Sequence, residues 1–185
     1  MTIQIRPFVP DTDWDTVWES ILQPIFRAGE TYPYPRDVSK EQAYDIWVGT
    51  LPSKQVFVAQ EEALSDKEGG ATTVLGTFYI KPNQPGQGSH ICNCGYAVAP
   101  CARGKGVATQ MCQASQELAR QTLGYRAMQF NLVVASNTGA YRLWQKLGYT
   151  TIGQIPQAFA HPTKGYVDAY IMYKDLLAAA DATKS

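Results

Sequence analysis

Four residues, Arg103-Gly104-Lys105-Gly106, separate two very different periodicities. Before them runs ICNCGYAVAP (91–100), with the apolar character of a buried strand. After them Val107, Met111, Ala114 and Leu118 recur at helical spacing. So tight a change of period predicts a strand–loop–helix crossover, which restricts the chain to folds with a mixed α/β sheet. Glycines at such a turn, with the small Ala108 behind them, let backbone N–H groups face an anion at a helix N-terminus. Arg103 and Lys105 add positive charge. The segment is neither a nucleotide P-loop, since GxxxxGK[ST] is absent, nor a dinucleotide fingerprint, since the third glycine and the following acidic residue are absent.

The remaining periodicities complete the order β-α-α-β-β-β-α-β-α-β-β. A strand over 2–9 precedes a helix capped by Asp11 or Asp13, with Trp14, Val17, Trp18, Ile21, Leu22, Ile25 and Phe26 on one face. The helix ends near Ala28-Gly29. Ser39 with Gln42 forms a capping box for a short second helix carrying Tyr44, Trp47 and Leu51. Strands are expected over 55–60, 74–81, 90–98 and 128–134, then a helix from Thr138 to Leu147 stopped by Gly148. Two last strands, 150–155 and 166–173, flank a loop PQAFAHPTKG. The polar EEALSDKEGGATT is expected to be a mobile linker and the tail from about 176 to be frayed. The 185 residues are read as one domain.

All four cysteines fall between 92 and 112, which raises the question of a metal. Cys92 and Cys94 share one face of a strand, but the next cysteines follow Cys94 by seven and eighteen residues. That is not the paired-knuckle spacing of zinc, and nothing in the sequence places His161 near His90. The expectation is no metal, with the cysteines serving as small buried residues. Sixteen basic and sixteen acidic residues leave no electrostatic footprint for nucleic acid or an anionic membrane. No apolar run approaches the roughly 20 residues of a membrane span, and the N-terminus lacks a secretion signal. A cytoplasmic protein is expected.

Downstream of the apolar strand stands Asn137, and its helix carries AYRLWQKLGY. Arg103, Gly106 and Ala108, followed by a strand and N-x-x-A-x-x-L-W-x-K-L-G-Y, together resemble the GCN5-related N-acetyltransferases (GNAT). The resemblance covers nearly the whole chain. It implies a central, mixed but mostly antiparallel twisted sheet of six to seven strands, with helices on both faces and the strands 92–98 and 128–134 splayed apart. It also implies acetyl-CoA as cosubstrate. Arg103, Gly104, Lys105, Gly106, Val107 and Ala108 would hold the pyrophosphate, and Ala97, Val98 and Asn137 the pantetheine arm and thioester. A homodimer is implied as well.

In such enzymes an amine attacks the thioester directly. Where many members carry a tyrosine as general acid this chain has Trp144, whose indole cannot act as an acid at neutral pH. Tyr141, one turn earlier, is the alternative acid, or the thiolate leaves unassisted. The glutamate often used as base is also missing, which leaves a water or Glu30 from the ETYPYP loop.

The strings LGTFYIKPN, SHICNCG, FNLV, VDA and TYP carry a closer resemblance, to fungal enzymes that acetylate L-azetidine-2-carboxylate. It implies that Asn93 and Asn131 orient a substrate carboxylate and that Asn137 polarises the thioester or holds the amine. Tyr32 and Glu30 would complete the substrate side, Glu30 standing where those enzymes have lysine. The residues alone also allow structural roles: an asparagine in a strand otherwise fit for burial needs a hydrogen-bond partner, and Asn137 suits a helix N-cap. A small-molecule amine is therefore the expected partner. Acetylation of protein N-termini or lysines, and non-catalytic binding of acyl-CoA, are the competing functions.

Overall fold

The computed structural model describes residues 2–61 and 73–177. The expected mobile linker falls on 62–72 and most of the expected frayed tail on 178–185, both outside the described residues. At the start of that tail, however, Leu176 is buried and its N–H donates to the Arg126 carbonyl (2.9 Å). The chain is thus pinned at 176 rather than frayed.

Seven strands form one sheet in the order β1-β2-β3-β4-β5-β7-β6. They are β1 (Ile3–Pro7), β2 (Gln55–Glu61), β3 (Val74–Pro82), β4 (Ile91–Val98), β5 (Ala127–Val134), β6 (Thr150–His161) and β7 (Gly165–Asp175). All neighbours pair antiparallel except β4 and β5, which are parallel. The fold is the mixed, mostly antiparallel α/β sheet expected.

Helices α1 (Pro10–Val17), α2 (Gln23–Ala28) and α3 (Lys40–Trp47) lie on one face. A π-helical turn, Trp18–Leu22, joins α1 to α2. Helices α4 (Val107–Glu117) and α5 (Thr138–Lys146) lie on the other. Register along β3 decides the sides. Thr77 accepts from the fully buried Trp47 of α3 (Nε1 to Oγ1, 3.1 Å), whereas a Cβ on the adjacent Gly76 would collide with Met111 of α4. Successive strand residues face opposite ways, so α3 and α4 are separated by the sheet.

Most local signals operate as read. Ser39 and Gln42 make the capping box, and Gly29 and Gly148 sit at φ +68° and +89°, the left-handed conformation that suits glycine just past a helix. The first helix differs: it starts at Pro10 with Val9 as N-cap and no side-chain cap. Asp13 instead reaches back to accept the Val9 N–H (2.7 Å) and both terminal nitrogens of Arg6 (2.7 Å each). The largest departure is in PQAFAHPTKG. Residues 156–161 belong to β6, which passes a bulge at Gln157 (φ +52°) and runs on to His161. The Asp168 carboxylate holds that bulge by accepting the Gln157 N–H (2.9 Å).

Candidate active site

β4 and β5 pair only at Ile91–Ala127 and Cys92–Met128 and then separate. Where the ladder stops, a side chain takes over: Asn93 Nδ2 donates to the Gln129 carbonyl across the gap (2.9 Å). Beside it Gln129 Nε2 donates to Asn131 Oδ1 (2.9 Å), and Asn131 Nδ2 to Asn83 Oδ1 (2.7 Å). Asn93 is buried as expected, but Asn131 is exposed, so burial does not account for it. Its partners are other amides at the closed end of the split.

Above this closure the split opens into a cavity of about 620 Å³, within the usual range for small-ligand sites. Its wall draws Tyr32 and Tyr34 from one face of the sheet and Ala140 and Trp144 from the other, so the cavity passes through the sheet. On the first side the 29–38 loop is tied down by reciprocal Arg27–Arg36 bonds and by a stacked Tyr32–Tyr34 pair against Phe26. The Tyr32 hydroxyl donates to the Tyr96 carbonyl (2.8 Å). Burial pushes the Tyr32, Tyr79 and Tyr96 hydroxyls well up, away from proton donation at neutral pH.

Backbone alternation assigns the polar groups of the split. Ala99 N–H bonds toward β3, at the Leu75 carbonyl. Peptides two apart point the same way, so Val98 and Tyr96 turn theirs toward the gap. Tyr32 occupies the Tyr96 carbonyl, and Val98 N–H is left facing the cavity that Val98 lines.

At the other mouth Arg103 lines the cavity beside the start of α4. The N-cap Gly106 sits at φ +79° with no side-chain cap, so the first amides of α4, from Val107 and Ala108 onward, lack intrahelical acceptors. A Cβ at Gly104 or Gly106 would meet no atom within 4 Å. The concavity is therefore open, lined by N–H groups and flanked by Arg103 and Lys105, which suits a pyrophosphate. Gly106→Ala is expected to weaken binding of a pyrophosphate-bearing ligand about tenfold or more, as calorimetry would read it. The methyl enters the cradle, and an L residue in this left-handed position costs roughly 1–2 kcal/mol.

Of the expected site residues, the fold brings Glu30, Tyr32, Asn93, Ala97, Val98, Arg103, Asn131 and Asn137 to one cavity wall. Gly104 to Ala108 lie just beyond Arg103. Asn137 is the N-cap of α5, its Oδ1 accepting the Ala140 N–H (3.2 Å). Tyr141 is not brought to the cavity: its hydroxyl lies 3.1 Å from Thr151 Oγ1 and accepts from Gln145, and its ring packs on Tyr170. Trp144 does line the cavity, wedged among Tyr96, Phe130 and Tyr149.

Three cysteines are buried and engaged locally. Cys94 Sγ donates to the Tyr79 carbonyl (2.8 Å), and burial pushes the Cys92 thiol up to about 12. Cys101, by contrast, is exposed, against the expectation for all four. Sequence reading missed Tyr34, Tyr79, Lys81, His161 and Lys164, all in the wall. Lys81 could have been found, because it stands directly across from Asn93 in the β3–β4 register. His161 could not, since its position depends on a strand read as loop.

The split runs from an uncapped helix N-terminus flanked by Arg103 and Lys105 to a chamber lined by Asn93, Lys81 and Tyr79, a layout open to an anionic ligand at one end. The Acetyltransferase (GNAT) family model matches residues 16–149, and the chain belongs to that family. It is an N-acetyltransferase with acetyl-CoA as cosubstrate. N-acetyltransferase aca1 of Schizosaccharomyces pombe is 35% identical over 162 residues, covering 84% of this chain and 77% of the relative. A GCN5-related N-acetyltransferase structure from Kribbella flavida is 39% identical with TM-score 0.79, covering 94% of this chain and 97% of the other. The fold is shared with a phosphinothricin acetyltransferase of Sinorhizobium meliloti, in complex with AcCoA, at 17% identity and TM-score 0.77, covering 95% and 89%.

Proposed function

We propose that this acetyltransferase acts on the nitrogen of a small amine, with cyclic imino acids such as L-azetidine-2-carboxylate as the preferred class. The observation that carries the reading is the through-sheet cavity, lined by Tyr32 and Tyr34 from one face of the sheet and by Asn93 where β4 and β5 part. Its size suits a thioester arm with one compact acceptor.

Acetyl-CoA supplies an acyl group activated as a thioester. The ammonium first gives up a proton to free its lone pair, the nitrogen attacks the carbonyl carbon, the C–S bond breaks, and the nitrogen loses its second proton. Val98 N–H donates to the oxygen that becomes negative, a contribution of about 3 kcal/mol for one preorganised donor. Asn137, fixed by its capping bond, turns its Nδ2 toward the reacting groups. Asn93 and Asn131 set the acceptor's position from the floor. Glu30, at the cavity edge, takes the amine proton through water. The CoA sulfur departs without a protein acid: Trp144 cannot supply one and the Tyr141 hydroxyl is engaged with Thr151. A thiol of pKa about 8.5 leaves unaided.

The test is thiol release from acetyl-CoA across a panel of L-azetidine-2-carboxylate, proline analogues, free amino acids, polyamines and a lysine peptide. Turnover concentrated on the imino acids is expected. A preference for the lysine peptide would replace the small-molecule reading, and acetyl-CoA binding with no thiol release from any amine would leave a sensor.

A further inference from the structure

We propose that His161 and Lys164, at the closed end of the β6–β7 hairpin, recognise a carboxylate on the acceptor, with the His161 Nε2–H as the oriented donor. The inference rests on the small-amine reading and narrows it to anionic acceptors.

The orientation of His161 follows from its hydrogen bonds. Its Nδ1 accepts the Thr163 backbone N–H (3.2 Å), with the Thr163 hydroxyl at 3.4 Å. A peptide N–H can only donate, so Nδ1 presents its lone pair and the ring proton resides on Nε2. The residue is only 7% exposed. Among the described residues no buried side-chain nitrogen or oxygen lacks a partner. Nε2 has no partner among the described residues, and the open space beside His161 is the cavity, whose wall includes it. Because Nε2 carries the ring proton, the nitrogen that His161 turns to the cavity donates. It is a donor, and it calls for an acceptor atom on the substrate.

Charge points the same way. The ionised side chains in the wall are Glu30, Lys81, Lys164 and Arg103, and Arg103 stands at the phosphate end. None of the four is among the ion pairs found between described residues, which are Arg6–Asp13 and Lys40 with Asp15 and Glu19. The acceptor end thus carries two ammonium groups and one carboxylate. That suits an imino acid, whose nitrogen begins as a cation and whose carboxylate is an anion. The Gln157 bulge, held by Asp168, bends β6 just before His161, and bulges commonly re-aim a side chain at a site.

The experiment compares equilibrium binding of acid and amide pairs: L-azetidine-2-carboxylate with its carboxamide, and L-proline with L-prolinamide. Calorimetry in the presence of CoA needs no turnover. The wild-type protein is expected to favour each acid about tenfold or more, the scale of a charge-assisted hydrogen bond. His161→Phe, which keeps the ring contact with Phe159, and Lys164→Met, on an exposed turn, should each erase most of that preference without weakening the amides. His161→Gln, which retains a donor, should restore part of it. Equal affinity of the wild-type protein for acids and amides, or equal losses for both in the variants, would overturn the proposal. Preferential acid binding without thiol release would sink the catalytic reading and leave this one standing.

Discussion

Gly95→Ala is expected to lower kcat/KM for the acceptor about a hundredfold while leaving the protein folded. Gly95 is not strained, for it is absent from the positive-φ residues. The difficulty is a ring. A Cβ at 95 would stand 2.6 Å from Tyr79 Cε1, 2.7 Å from Cζ and 2.8 Å from the hydroxyl. Tyr79 has little room to retreat, with Trp47 edge-on at 5.1 Å and the Lys54 ammonium 4.7 Å from its centroid. The ring must therefore move by about an ångström, at the 1–3 kcal/mol typical of an overpacked core. Tyr79 and Asn93 both line the cavity, their side chains 3.5 Å apart, where the proposed acceptor would sit. A shift of that size at a reacting geometry costs on the order of 10² in rate. Steady-state kinetics with the acceptor varied is the check. An unchanged kcat/KM with a lowered melting temperature would place Gly95 in packing alone.

Asp13→Ala should be the most destabilising of the substitutions considered, by about 2–3 kcal/mol. Removing one partner of a buried pair costs roughly 3–5 kcal/mol, and the loss is smaller here because Arg6 is 28% exposed. For a chain of this size that is a fall of about 5–10 °C in melting temperature. The Ala variant also loses the acceptor for Val9 N–H, while Arg6 keeps its bond to Gln60 (2.7 Å). The pH dependence has a definite sign. Burial alone would raise the Asp13 carboxyl, but the Arg6 bonds and the Val9 N–H outweigh it and hold it below the usual value. The stabilisation is complete above the ordinary carboxylate range and is lost as pH falls through the lowered folded value. Asp13→Asn removes this titration, so the gap between wild type and variant should narrow as pH drops below about 4. A constant gap on acid titration would mean that the ion pair does not stabilise the fold.

Several helix ends were legible because caps and glycine turns act within a few residues, but α1 starts at Pro10 without the expected aspartate cap and α3 stops at Trp47, leaving Leu51 outside it and exposed. The Ser39–Gln42 box, Gly29 and Gly148 all sit where their chemistry demands. The RGKG turn was legible for the same reason. Asn93 and Asn137 were found as candidates, but their partners lie on other elements. That Asn93 bridges the split to Gln129, 36 residues on, follows from the point at which two parallel strands part. The exposed, irregular β6 defeated pattern reading. As an edge strand it has one neighbour and shows no regular alternation of buried and exposed residues, and the bulge at Gln157 breaks its period.

The sequence by itself determined the order of strands and helices, the glycine cradle at the head of α4 and the polar residues offered to a site. Each is set by torsions and contacts among near neighbours. Tertiary structure alone decided which of those residues share a cavity. β7 inserts between β5 and β6, so the last two strands pair in an order that the chain does not follow. That insertion, together with the parting of β4 from β5, brings His161 and Lys164 to the same chamber as Glu30 and Lys81. Register over such separations is chosen by the summed burial of the sheet faces, a quantity that no local stretch of sequence contains.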